Sequence, residues 1–271
     1  MTALTPAEGD RDLLVAAARE AGDLALRYFG RDPQSWAKGL TSIVSEADFA
    51  VDRLLADRLK RARPGYGWLS EETADSPDRL GRPRIFVVDP IDGTRAFLSG
   101  RKEWCISLAI VEDGRPIAAA LYAPVIGALF RAIAGGGADL NGGRLDIGRR
   151  QGLAGARLAG PRRFARPVAE AVGLPLAAVR FVPSLAYRLA LVASGEVDVA
   201  ISGPNAHDWD IAAADLLVHE AGGVFTDLDG DAPRYNLTEI THPVLVAAAA
   251  AIAGEVIGLI RTGQEEESGT S

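Results

Sequence analysis

Apolar residues recur at helical spacing from the start of the chain. Leu13, Leu14, Ala17, Ala21, Leu24 and Tyr28 fall on one helical face, with Thr5-Pro6 as a start signal and Gly30 as a stop. A second helix is predicted from about Ser45, with the acid Asp48 three residues on, through Leu54, Leu55 and Leu59 to the breaker Pro64-Gly65. The period then changes. Ile85 to Val88 reads as a short buried strand that runs directly into Asp89-Pro90. Trp104 to Val111 and Pro116 to Tyr122, joined by Asp113-Gly114, read as a hairpin, with a further strand near Leu129 to Ala134.

Beyond the Gly-rich stretch from Gly135 to Gly143, short strands and helices alternate. The strands are expected at Arg157 to Ala159, Val179 to Val182, Val197 to Ile201, Val224 to Thr226 and Val244 to Ala247. The helices are expected at about Phe164 to Val172, Leu185 to Ala193, Ile211 to Ala221 and Ala248 to Ile260. An α+β half followed by an α/β half predicts stacked sheets and helices. The expected division is 1–145, 146–262 and a polar, acidic, disordered tail over 263–271.

Composition narrows the function classes. In 271 residues, 48% are hydrophobic and 24% charged, as in an ordinary globular enzyme. A net charge of −7 argues against nucleic-acid binding, which needs a basic surface to displace counterions. One cysteine, Cys105, leaves no disulfide framework, and three scattered histidines make no zinc site. The N-terminus lacks a signal-peptide pattern, and the apolar run from Pro243 to Gly254 is too short to span a bilayer. A cytoplasmic protein with no membrane attachment is expected.

The candidate chemistry centres on Asp89-Pro90-Ile91-Asp92-Gly93-Thr94. Asp89 stands where a buried strand ends, the usual place for ligand groups in open α/β sheets. Asp92 follows three residues later, Gly93 permits close backbone approach, and a helix beginning there would aim N–H groups at an anion. Alone, the motif reads equally as an exposed Asp-Gly turn. Three other segments add acids: Ser70-Glu71-Glu72 after an apolar pair, Asp208-Trp209-Asp210 opening a helix that stops at Gly222-Gly223, and Lys38 followed by Ser45-Glu46-Ala47-Asp48.

In order and spacing, these four segments resemble the inositol monophosphatase family, over residues 10 to 260. The resemblance implies a layered αβαβα sandwich of the type shared with fructose-1,6-bisphosphatase, dimer formation, magnesium dependence and lithium inhibition. It implies two or three Mg²⁺ ions per site, replaceable by Mn²⁺, held by Glu71, Asp89, the backbone carbonyl of Ile91, Asp92 and Asp210. Hard oxygen donors suit such ions. It further implies that Glu71 and Thr94, assisted by Asp48, orient and deprotonate an attacking water. The N–H groups of Gly93 and Thr94 would hold the phosphate, Ser184 and Asp210 would contact the substrate, and no covalent phospho-enzyme forms. Glu72 is expected behind the ligands, Trp209 as packing beneath Asp210, and Cys105 as a core residue.

The leaving group is less constrained. Ser70 before the paired glutamates, the strand Leu121 to Val125 and Ser184-Leu185 resemble the 3'(2'),5'-bisphosphate nucleotidase branch, which converts adenosine 3',5'-bisphosphate to AMP and phosphate. Gly203 stands seven residues before Asp210, where the inositol branch places a glutamate for ring hydroxyls. Arg95, Arg101, Lys102, Arg162, Arg163 and Arg188 are candidate partners for a second phosphate. Inositol 1-phosphate, histidinol phosphate and fructose 1,6-bisphosphate are the alternative substrates. A regulatory binding partner on the same fold, as for family members that act with the transcription apparatus, is the alternative of another class.

Overall fold

The computed structural model describes residues 6–38, 42–147 and 150–269. The expected cap Thr5 and the motif residues Gly39, Leu40 and Thr41 lie outside them. The first part of the chain forms α1 (Pro6–Leu26), a ribbon of β1 (Ser35–Lys38) and β2 (Ser42–Ser45), α2 (Glu46–Ala62), β3 (Gly67–Ser70), β4 (Arg84–Asp92) and the single-turn α3 (Thr94–Leu98). A meander follows: β5 (Cys105–Glu112), β6 (Arg115–Ala123), β7 (Ala128–Ile133), β8 (Gly137–Leu140) and β9 (Gly143–Arg144). The second part comprises β10 (Leu158–Ala159), α4 (Arg162–Ala171), α5 (Leu185–Ala193), β11 (Val199–Ile201), β12 (Ala206–His207) and α6 (Asp208–Glu220). It ends with β13 (Gly223–Asp227), β14 (Thr241–His242), β15 (Leu245–Ala249) and α7 (Ala250–Gly269).

Strands β3 to β9 form one sheet in chain order, parallel between β3 and β4 and antiparallel elsewhere. A second sheet has the order β10-β11-β15-β13. Helices α1 and α2 cover one face of the large sheet, α5 and α6 fill the space between sheets, and α4 and α7 cover the outer face of the second. This is the αβαβα sandwich.

The period-2 geometry of strands explains how the layers are glued. Along β4 to β6, Phe86, Val88, Ile106, Leu108, Ile110, Ala118 and Ala120 pack against α1 and α2. Their neighbours Ile85, Val87, Cys105, Ala109, Ala119 and Leu121 pack against α5 and α6. A sheet buried on both faces needs continuous apolar strands, which is why Ile85 to Val88 shows no alternation. Fully burying a side chain such as Phe86 or Leu108 contributes about 1.5–3 kcal/mol. Between the sheets α6 is apolar around its circumference, with Ile211 to Ala214 and Leu216 to Val218 all buried. Gly22 lets α1 lie close on β6, because a Cβ there would sit 2.6 Å from the Tyr122 ring.

Two expectations are corrected. Residues 179–182 form no strand; one isolated bridge joins Ala159 to Arg180, and Phe181 is 66% exposed. The Gly-rich stretch carries strands β8 and β9, with the positive-φ glycines Gly135 and Gly142 in the turns on either side of β8. The tail continues as helix to Gly269, since Gln264 and Glu265 are good helix formers that extend an already nucleated helix.

Candidate active site

The site assembles where strands run out and helices begin. Strands β3 and β4 are parallel, and their pairing ends with Ser70 opposite Val88, so Glu71 and Asp89 follow at the same edge while β4 runs on to Asp92. A regular strand would send Asp89 and Asp92, three positions apart, to opposite faces. The structure removes that conflict with a bulge: Asp89 pairs with Ser107 and Asp92 with Cys105, so β4 carries one residue more than β5 between them. Pro90, which cannot donate to a ladder, sits inside this irregularity. Gly93 then turns with φ of 95°, and a Cβ there would meet Glu103 O at 3.1 Å. Glycine is required at that position on both counts.

Single carboxylate oxygens of Asp89, Asp92 and Asp210 lie within 4.8 Å of one another. Asp210 comes from the first turn of α6, where its carboxylate accepts from His207 N at 2.6 Å in a capping box. Asp92 is held by the start of α5, accepting from Leu185 N at 3.2 Å, Ala186 N at 2.6 Å and the Ser184 hydroxyl. Asp89 accepts from Ile91 N at 3.0 Å. Asp48 closes the capping box of α2 by accepting from Ser45 N at 2.8 Å. Thr94 Oγ1 lies 3.0 Å from Asp48 Oδ1 and 3.1 Å from Ile91 O. Its one proton serves one of these acceptors at a time.

Burial makes this grouping electrostatically tense. It pushes Glu71 up to about 8, with Glu72 and Asp210 adding repulsion. Burial likewise raises Asp89 well above the carboxylate range, reinforced by Glu71 and Asp92. Asp92 rises to about 6 through burial and Asp210, while the Ser184 hydrogen bond opposes the shift. Burial also raises Asp48. Divalent cations relieve such crowding, and the all-oxygen set of Asp89, Asp92, Asp210, Glu71 and the Ile91 carbonyl fits a hard ion.

These groups open into a cleft of about 660 Å³, whose walls include Lys38, Glu71, Asp89, Ile91, Asp92, Gly93, Thr94 and Asp210. Lys38 Nζ donates to Glu71 O at 2.5 Å and to Glu72 Oε2 at 2.9 Å, so Glu72, outside the cleft lining, is paired with a cation. Asp52 accepts from Ser70 Oγ at 2.5 Å and Thr73 Oγ1 at 2.8 Å, bracing the same loop from α2.

Several expected residues stand elsewhere. Ser184 is fully buried as the N-cap of α5, accepting from Tyr187 N at 3.1 Å and donating to Asp92, so it does not reach a substrate. Trp209 packs against the core cluster between the sheets, as expected, and in addition lines the cleft and stacks on His207 at 4.7 Å. Asp208 is buried, 2.7 Å from His242 Nε2 and accepting from Asn236 N at 2.8 Å, and so anchors the start of α6. Of the candidate phosphate partners, Arg95 reaches the cleft. Arg101 pairs with Glu103 at 2.9 Å and Arg188 is buried. The sequence reading missed the apolar part of the lining, Ile43, Phe181 and Pro183. Its one available signal was a Phe two residues before a Pro, in a segment too interrupted for a strand.

Comparison with known proteins agrees with this geometry. The sequence model of the inositol monophosphatase family matches residues 8–265. A Nus factor SuhB from Xylella fastidiosa is 36% identical over 235 residues, 82% of this chain and 84% of that protein. An inositol-1-monophosphatase from Rhizobium meliloti is 35% identical over 229 residues, 81% and 85% of the two chains. The crystal structure of the extragenic suppressor protein suhB from Bartonella henselae superposes with a TM-score of 0.82 at 29% identity, covering 94% of this chain and 99% of that one. Among the described residues no helix is long and apolar enough to cross a membrane. The chain belongs to the inositol monophosphatase family, and with it to the metal-dependent phosphoric monoester hydrolases that act on small phosphorylated metabolites.

Proposed function

We propose that the protein hydrolyses its phosphate monoester with Mg²⁺, or Mn²⁺ in its place, held by Glu71, Asp89, Asp92, Asp210 and the carbonyl of Ile91. The observation that carries this reading is the approach of the Asp89, Asp92 and Asp210 oxygens to within 4.8 Å of one another in the lining of a cleft. When bound, the ions supply Lewis acidity toward the phosphate and toward a nucleophilic water. The chain supplies position and proton traffic. Asp48 takes the Thr94 hydroxyl proton into a hydrogen bond, turning the Thr94 lone pairs outward to orient a water. Glu71, which lines the same cleft, accepts the proton of that water at its carboxylate. The N–H groups of Gly93 and Thr94 hold the phosphate, and Asp210 stands at the departing side. Phosphate release that depends on Mg²⁺ and is lost in Asp89→Asn tests the reading; full activity in excess chelator refutes it.

For the leaving group, we favour adenosine 3',5'-bisphosphate. Every carboxylate lining the cleft is already one of the proposed cation ligands, so none remains to grip sugar-ring hydroxyls. The rest of the lining offers Ile43, Phe181, Pro183 and the stacked His207-Trp209 pair, which suit a planar base, and Arg95 is a candidate for the second phosphate. Inositol 1-phosphate is the second reading, favoured by the relatives that carry the name inositol-1-monophosphatase. Comparing kcat/KM for these two esters and histidinol phosphate decides; a strong preference for inositol 1-phosphate overturns the nucleotide assignment. The relatives named Nus factor SuhB motivate a regulatory role on the same fold. Its mark would be stable co-purification with a macromolecule. A cytoplasmic homodimer is the expected form, which light scattering of the purified chain checks.

A further inference from the structure

Helix α2 carries two buried carboxylates one turn apart, Asp48 and Asp52. Residues four apart share a helical face, and the rise between them is about 6 Å. Each is bonded to the part of the chain that carries one of the two groups assigned to the attacking water. Asp48 Oδ1 lies 3.0 Å from Thr94 Oγ1. Asp52 holds the chain on either side of Glu71: Oδ1 accepts from Ser70 Oγ at 2.5 Å and Oδ2 from Thr73 Oγ1 at 2.8 Å.

The need for that clamp follows from how Glu71 is placed. Asp48, Asp92 and Asp210 each accept a backbone N–H at a helix start, which fixes their carboxylates directly. The hydrogen bonds on Glu71 act on its backbone instead. Its N donates to Val88 O at 3.2 Å, and its O accepts from Lys38 Nζ at 2.5 Å. Strand β3 ends at Ser70, so residues 71–73 form a turn beyond the ladder. The frame of this turn aims the Glu71 side chain, and Asp52 pins both of its ends.

Glu71 and Thr94 line the cleft, whereas Asp52, Ser70 and Thr73 are not among its lining residues. The clamp therefore acts from behind the site and stays out of the substrate's path.

We propose that Asp52 is a positioning residue that, together with Asp48, uses α2 as a rigid spacer to set Glu71 against Thr94. It fixes the geometry of water attack and of one cation ligand, and it is indifferent to the leaving group. Ser70 is then the hydroxyl that Asp52 grips, not a selector between nucleotide and inositol esters. The inference rests on the reading of Glu71 as proton acceptor and cation ligand.

The test follows Mg²⁺-dependent phosphate release by the full-length chain on the esters that wild type turns over. Asp52→Ala is expected to lower kcat at saturating Mg²⁺ by about 10–100-fold, the order expected for misplacing a reacting group by ~1 Å. KM should stay within about twofold, and the fall should be the same for every ester. The Mg²⁺ concentration for half-maximal rate should rise by roughly threefold or more, because Glu71 is also a ligand. Ser70→Ala/Thr73→Val should reproduce these changes, and adding Asp52→Ala to it should cost less than about twofold more, since the three side chains act as a unit. Asp52→Asn keeps the shape and one acceptor oxygen, and should recover most of the rate. Circular dichroism verifies folding; where Asp52→Ala is unfolded, the Ser70→Ala/Thr73→Val variant decides. A fall in kcat with an unchanged Mg²⁺ requirement marks mere loss of active protein and overturns the inference. A folded variant at the wild-type rate, additive losses, or a loss confined to one ester overturns it too, while the metal reading stands. A wild-type chain without Mg²⁺-dependent release overturns both.

Discussion

The two walls of the cleft are built on different principles. On the acid wall each carboxylate is fixed by regular structure: Asp48 and Asp210 in the capping boxes of α2 and α6, Asp92 by the first turn of α5, Asp89 at the bulge of β4. Helix N-termini favour acids there, so the backbone itself stabilises the cluster's charge. In the apolar lining, Phe181 and Pro183 belong to an irregular segment, and Phe181 is 66% exposed with Arg101 5.7 Å from its ring centre. A reacting phosphate must be held to within fractions of an ångström, which requires a rigid frame. A leaving group needs only shape and apolar contact, which a loop supplies and can vary.

The contrast can be broken experimentally, and the acid wall should respond most. Asp89→Asn is expected to lower kcat/KM by ~10³-fold or more, about 4 kcal/mol of transition-state stabilisation. Steady-state phosphate release measures this, and a loss under tenfold would remove Asp89 from the reaction. Thr94→Val should cost about 10²-fold in kcat with KM little changed, the signature of a hydrogen bond used in the transition state. A rise in KM alone would place Thr94 in ground-state binding instead.

The apolar lining should respond more mildly. Phe181→Ala is expected to raise KM for an aromatic leaving group by roughly 5–10-fold, about 1 kcal/mol, and to leave kcat unchanged. An equal effect on a small aliphatic phosphate would argue against stacking. At the low end, Ile252→Ala in the outer helix α7 should destabilise the fold by about 2–5 kcal/mol while changing kcat/KM less than about twofold. Denaturant unfolding beside kinetics tests this; a large kinetic loss would mean that the outer layer tunes the site.

The crowding also predicts a pH dependence. Glu71 and Asp92 have folded-state values raised to about 8 and about 6, above their ordinary 4.5 and 3.8. Between the ordinary and the raised values the native chain holds more protons than the unfolded one, so stability falls as pH rises. The melting temperature of the metal-free protein should therefore decline from pH 4.5 to 8. Saturating Mg²⁺ should shrink that decline, because it binds the native state alone. Calorimetry that shows stability rising across this window would contradict the crowding.

The sequence by itself determined the layers and most of the acids. Helical and strand periods report which face meets a core, and capping signals such as Ser45 with Asp48 report where a helix starts; both are local properties of the chain. The motif around Asp89 was legible because its parts are contiguous. Tertiary structure alone decided the rest. Whether Asp89 and Asp92 face one point depends on how β4 pairs with β5, since a three-residue spacing opposes it without the bulge. Ser184 looked like a substrate contact and proved to be a helix cap bonded to Asp92 across 92 residues of chain. Arg188 looked like a surface phosphate partner and proved to be a buried charge, because burial depends on what packs against a residue from distant elements.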